Sequence, residues 1–237
     1  MRFIIIKKKT LFMLVSVFIL VLLTILFISF FNKTKETFNT DVYYKGNVEE
    51  KIMAFACNVD WGNEYIIPLL EILEKHDIKI TFFVTGRWAE NNPDLLKAIF
   101  NEGHEIGNHG YNHINYDQLS YEKNKEEILK ADNTIQNILG IKPNFFAPPA
   151  GAYNENTIKA CKDLNYDIIM WSIDTIDWRE DSTKEKIKNR VIENIHNSAI
   201  VLMHPTKETI KALPEIIINI LDKGYKIGKI SDVVKTN

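Results

Sequence analysis

The sequence predicts an α/β fold: a distorted (β/α) barrel of about seven strands, preceded by one N-terminal transmembrane helix. Three observations predict it. From residue 51 onward, short runs rich in β-branched and aromatic residues alternate with segments of helical apolar spacing. Polar clusters follow the ends of the strand-like runs, where function gathers in barrels and open parallel sheets alike. Residues 11–31 are apolar except for Ser16, Thr24 and Ser29. A doubly wound open sheet is the alternative to the barrel.

The first ten residues carry Arg2 and the Lys7-Lys8-Lys9 cluster. The apolar run that follows is long enough to cross a hydrocarbon core of about 30 Å as a helix. Its cationic flank predicts a cytoplasmic tail over 1–10, an anchor over 11–31 and an exported remainder in the cell membrane. A cleaved signal peptide competes with this. Its apolar region is usually about 7–15 residues, ending in a small-residue cleavage site. Phe30-Phe31-Asn32-Lys33 offers no such site. Residues 32–50 are polar and aperiodic and predict a linker. Residues 51–237 then form the exported domain, large enough to bury a sizeable core as a monomer. A net charge of −2 gives no argument for nucleic acid as a partner. Cys57 and Cys161 are expected to be two buried free thiols.

Within the domain, 52–59 reads as a buried strand and 64–76 as a helix with Ile66, Leu69, Leu70 and Leu73 on one face. The run KITFFVT over 79–85 predicts a second strand. Asn92-Pro93 opens a helix that Gly103 closes, and 104–107 is extended. A long helix over 120–139 ends at Gly140. Strand 144–147, helix 155–164 and strand 167–173 follow. Ser182 with Glu185 predicts a capping box for a helix to 195. Strand 199–203, helix 208–221 and strand 226–230 complete the series.

Five clusters sit where strands end. In Asn108-His109-Gly110-Tyr111-Asn112-His113, two histidines four apart converge if the segment makes a helical turn, and imidazole is a common ligand of late first-row metals. Two surface histidines would look the same. Asp60 ends the first strand, as a third ligand or as the residue that starts a turn. His204 ends 199–203, where a general acid or base would stand. Asp174 and Asp177, with Trp178, follow 167–173; acidic groups there could orient a histidine and the tryptophan could wall a pocket. Pro148-Pro149-Ala150-Gly151 fixes a rigid turn before Tyr153.

In order and spacing these clusters resemble the five motifs of the polysaccharide deacetylases (carbohydrate esterase family 4, the nodulation-protein-B-like homology domain), over residues 51–235. NHGYNH resembles the family's metal-binding histidine motif, APPAGAYN its Arg-Pro-Pro-Gly motif, DTIDW its Asp-x-x-Asp-Trp motif, and Leu202-Met203-His204 its Leu-x-His motif. The ending of NVDWG is most similar to that of sporulation-associated members.

The resemblance implies a hydrolase of non-peptide C–N bonds that removes N-acetyl groups from a glycan, peptidoglycan or chitin-like. It implies one divalent metal ion, zinc first, with cobalt, iron, manganese or nickel also suited. Asp60, His109 and His113 would be its ligands. His204 would protonate the departing amine, oriented by Asp174. Asn58, Pro148, Pro149, Gly151, Tyr153, Trp178 and Leu202 would line the substrate site, with Leu202 and Trp178 around the acetyl methyl.

The sequence departs from the family at two linked positions. Where the first motif usually reads Thr-Phe-Asp-Asp-Gly, this chain has Ala56-Cys57-Asn58-Val59-Asp60. Asn58 takes the position of the base and Val59 that of the ligand. Ala147 replaces the Arg that pairs with the base. Loss of both charges together avoids an uncompensated buried ion. Either Asp60 is the ligand and no conventional base remains, or Asn58 meets the metal through its amide oxygen while Asp60 acts as base. A hard anionic oxygen favours the first. A wall-binding or sporulation factor that keeps the fold without the activity is the alternative to an enzyme, and hydrolysis of another acyl or amide substrate is a third reading.

Overall fold

The computed structural model describes residues 42–235 and, before them, positions 8, 9, 18, 20, 21 and 24. The expected cytoplasmic tail and anchor lie outside the described residues apart from those six positions, which are helical. Among the described residues no helix is long and apolar enough to cross a membrane. The chain divides into two units, Met1–Phe38 and Asn39–Asn237, and the second carries the sheet.

That unit is an α/β domain built on one parallel sheet of nine strands among the described residues. They are β1 (Val42–Tyr43), β2 (Ile52–Val59), β3 (Thr81–Val84), β4 (Glu105–Asn108), β5 (Phe145–Phe146), β6 (Asp167–Ile169), β7 (Ile173–Asp174), β8 (Ile200–Met203) and β9 (Lys226–Gly228). Their order is β1-β6-β5-β4-β3-β2-β8-β7, with β9 pairing the start of β2. The expected strand over 167–173 is therefore two short ones. Its first half pairs β5 and its second half pairs β8. Residues 170–172 carry the chain between those neighbours, so the sheet curls round and returns on itself through one covalent segment. This is the distortion of the barrel.

The linker expected over 32–50 is corrected at its end. β1 pairs β6, Lys45 bridges Ala199, and the Gly46 N–H donates to the Ser198 carbonyl at 2.7 Å. Residues 42–50 thus seal the seam that β6 leaves when it departs from β8. Two other expectations shift. Thr183, not Ser182, caps the helix Lys184–Ile192, and Ser182 instead donates to the Ile176 carbonyl. The last strand stops at Gly228, and a short helix, Ile230–Val233, follows it. The short helix Gly86–Asn91 was not foreseen. Both cysteines are buried and unpaired, as expected.

Side-chain alternation along β2 divides the core. Met53, Phe55, Cys57 and Val59 pack outward with the helix residues Ile66, Leu69, Leu213 and Ile217. Ala54 and Ala56 point inward, into a cluster with Phe83, Ala147, Ile169 and Ile200. Small residues on β2 leave room for the Phe83 ring at the barrel centre. That ring lies so close over Gly107 of β4 that a Cβ there would stand 2.3 Å from Phe83 Cδ1. Gly107→Ala should therefore force the ring to move and destabilise the domain by about 1–3 kcal/mol. The urea midpoint measures this, and an unchanged midpoint would show that the interior has slack.

Candidate functional site

The C-terminal ends of the strands are brought level by the ladder. The Thr85 N–H donates to the Val59 carbonyl, His109 N–H to Val84 and Ala147 N–H to Asn108, each at 3.0 Å. On the other flank Asp174 pairs in register with Leu202, and Leu202 with Ala56. Above this rim lies a cleft of about 480 Å³ lined by Asn58, Asp60, Trp61, His109, His113, Ala150, Trp171, Asp174, Trp178, Leu202 and His204. Of the expected site residues, Pro148, Pro149, Gly151 and Tyr153 do not line it. Pro149 is buried beneath the turn. Gly151 serves by its small size, since a Cβ there would meet Trp171 Cη2 at 2.8 Å. The Tyr153 hydroxyl shares a 2.8 Å hydrogen bond with that of Tyr44.

The histidine loop is held from two sides. The Glu127 carboxylate accepts the Asn112 backbone N–H at 2.9 Å and the Asn112 amide at 3.1 Å. The Gly86 and Arg87 N–H groups donate to the carbonyls of Gly110 and Tyr111. His109 and His113 thereby meet edge to face, ring centroids 5.2 Å apart. His109 Nδ1 lies 2.7 Å from the Ala147 carbonyl, which fixes the proton on Nδ1 and leaves the Nε2 lone pair for a ligand. Burial first, and then the neighbouring His113, hold its pKa down at about 3.

His204 is oriented by a carboxylate, but by that of Asp177, not Asp174. Its Nδ1–H donates to Asp177 Oδ1 at 2.7 Å and its backbone N–H to Oδ2 at 2.7 Å. Thr209 Oγ1 donates to the same Oδ2 at 2.6 Å. Asp174 acts one step back. Its Oδ1 accepts the Ile176 N–H at 2.7 Å. Ile176 has φ 50, a left-handed conformation that a β-branched residue adopts only under constraint. The turn it makes returns Asp177 beneath His204. Burial raises the pKa of Asp174. The Trp61 ring lies parallel to His204, centroids 6.0 Å apart. Trp61 and Trp178 are 45% and 56% exposed, and both line the cleft with Leu202.

Asp60 lines the cleft but is engaged elsewhere. Arg87 Nη2 donates to both of its oxygens, at 3.0 and 2.7 Å, and Thr85 Oγ1 donates to Oδ1 at 2.7 Å. The neighbouring Val59 faces the outer core. Among the described residues no three His, Cys, Asp or Glu side chains are gathered so that they could hold a metal ion. The histidine pair supplies two coordinating nitrogens, and Asp60, the expected third ligand, is held by Arg87 and Thr85. The residues present do not fit a three-ligand centre. Local sequence pattern does not mark Arg87 or Glu127, whose partners Asp60 and Asn112 are distant in sequence.

Comparison with known proteins bears on this arrangement. The family model for polysaccharide deacetylase matches residues 45–169. The Bacillus subtilis (strain 168) protein called uncharacterized protein YlxY is 40% identical over 199 residues, 84% of this chain and 62% of its own length. The chain thus spans less than two thirds of that relative. Peptidoglycan-N-acetylmuramic acid deacetylase PdaA of the same organism is 30% identical over 198 residues, 82% of this chain and 75% of its own. The crystal structure of BA3943, described as a CE4 family pseudoenzyme from Bacillus anthracis, superposes with a TM-score of 0.80 at 38% identity, covering 83% of this chain and 70% of that one. A mutant of it is described as having restored enzymatic activity.

Two buried histidines set a pH dependence. His109 titrates near 3, and burial with nearby Lys79 holds His104 at about 4, against an ordinary value of 6.5. Both stay neutral in the native state, while the unfolded chain takes up protons below 6.5. Stability should therefore fall as pH drops from 6.5 towards 4. Denaturant midpoints across that range measure it. His109→Gln should make the fall shallower, and an identical slope in the variant would show that His109 is not its source.

Proposed function

Because the chain belongs to the polysaccharide deacetylase family, we propose that it binds N-acetylhexosamine polymers, peptidoglycan above all, in this cleft without hydrolysing them. One observation carries the reading: the Asp60 carboxylate is committed to Arg87 and Thr85 while Val59 faces the outer core. A deacetylase of this family would hold a divalent ion to activate water and polarise the acetamide carbonyl. Here two histidines remain without a carboxylate partner, and Asn58 stands where a base would be.

What a glycan needs for binding is retained. Exposed Trp61 and Trp178 offer flat apolar faces beside polar groups, the amphipathic surface on which a sugar ring stacks. The cleft also continues past Trp61. Asp60 and Trp61 line a second groove of about 440 Å³ with Asn63, Glu64, Arg87 and Asn92, which suits a polymer over a single sugar. The relatives named as peptidoglycan deacetylases support peptidoglycan as the ligand, and the similarity to BA3943, described as a pseudoenzyme, supports binding without hydrolysis. With 11–31 as an anchor, the domain works as a monomeric wall-facing or sporulation factor at the outer surface of the membrane.

A second reading, metal-dependent deacetylation, is favoured by the His204–Asp177 pair, whose Nε2 could protonate a departing amine. The full chain should bind N-acetylglucosamine oligomers in calorimetry and release no acetate from them or from peptidoglycan fragments, with or without added zinc. Zinc-dependent acetate release that disappears in His204→Ala would overturn the binding-only reading.

A further inference from the structure

The position that would hold the catalytic base is occupied by a side chain with an unmet hydrogen-bonding requirement. Asn58 is 6% exposed and lines the cleft. Its Oδ1 is buried and has no hydrogen-bond partner among the described residues. A buried polar atom left unpaired costs about 1–3 kcal/mol, so such an atom on a residue that lines a cleft points to a ligand that meets it. The surroundings narrow the chemistry of that ligand. Leu202 is buried beside it on the cleft wall, and Ala150 supplies a second apolar contact. Ala147, buried in the barrel interior, brings no positive charge. Of the carboxylates of the wall, Asp60 is held by Arg87 and Thr85, and Asp174 Oδ1 accepts the Ile176 N–H.

A primary amide presents one acceptor and two donors side by side, whichever way it is turned. Its neutral planar complement is a secondary amide, which offers one N–H and one C=O. A de-N-acetylated sugar offers an ammonium instead, with donors only and a charge that Asn58 cannot neutralise. We propose that Asn58 reads the acetamido group: Oδ1 accepts its N–H, Nδ2 donates to its carbonyl, and the methyl rests against Leu202 and Ala150. The Asp-to-Asn difference from the family then turns a position of proton transfer into one of recognition, and the cleft selects N-acetylated over de-N-acetylated hexosamine. This rests on the glycan-binding reading above.

The test compares an N-acetylglucosamine tetramer with a glucosamine tetramer by calorimetry on the full chain. The wild type should prefer the acetylated oligomer by about tenfold or more, because a site built to hydrogen-bond one group rejects the analogue that lacks it. Asn58→Leu, close in volume, should lose that preference. Asn58→Ala, which removes the amide without adding a charge, should lose it too, and it serves equally if the leucine variant does not fold. Binding of neither oligomer by the wild type would sink the glycan-binding reading itself. Binding of both with equal affinity, or a preference that survives in both variants, would leave that reading standing and overturn the role of Asn58.

Discussion

The alternation of side chains along β2 governs this domain. β2 is the strand paired on one side by β3 and β9 and on the other by β8, so it cannot rotate to re-aim its residues. Every second side chain enters the barrel and the others enter the helix layer. Ala54 and Ala56 are small because Phe83 fills the centre. Asn58 and Asp60 rise from the same face into the cleft. Val59 is excluded from it by direction as well as by chemistry. A side chain at position 59 therefore cannot reach the cleft without breaking the strand pairing.

Charge accounting explains why the altered site is stable. A carboxylate at Asn58 with no Arg at Ala147 would be a buried ion without a partner, a costly arrangement. The amide avoids that cost. Asp60 keeps its charge because Arg87, half exposed at the start of the helix Gly86–Asn91, meets it from the neighbouring strand end. Thr85 joins both roles, donating its hydroxyl to Asp60 while its oxygen caps that helix at Trp88. Asp60 is thereby matched within the protein.

The parts of the molecule that repeat a period were legible in the sequence. Seven strands and the larger helices fall where β-branched runs, apolar spacing, Pro93 and Gly140 put them, because those signals are local. What escaped depends on tertiary contact. β1 is two residues in a polar stretch, and only the seam between β6 and β8 makes it a strand. Residues 167–173 carry one strand's composition, and the exchange of neighbours that splits them is a property of the closed sheet. Asp174 and Asp177 are indistinguishable as sequence; the left-handed Ile176 between them decides which reaches His204. Arg87 and Asp60 follow the ends of separate strands, and nothing local announces that they pair.

The persistence of the His204–Asp177 pair is the strongest sign of hydrolysis, and it has a structural explanation. Asp177 receives three donors, of which two, the His204 backbone N–H and the Thr209 hydroxyl, have no part in acid–base chemistry. Through them one carboxylate ties the end of β8 and the first turn of the helix Lys207–Asp222 to the loop after β7. Replacing it would leave buried donors unpaired at the junction of three elements. His204 in turn supplies the flat partner beside Trp61. Both residues are thus required to shape the cleft whether or not a proton moves. Their retention is expected of a binding protein as much as of an enzyme.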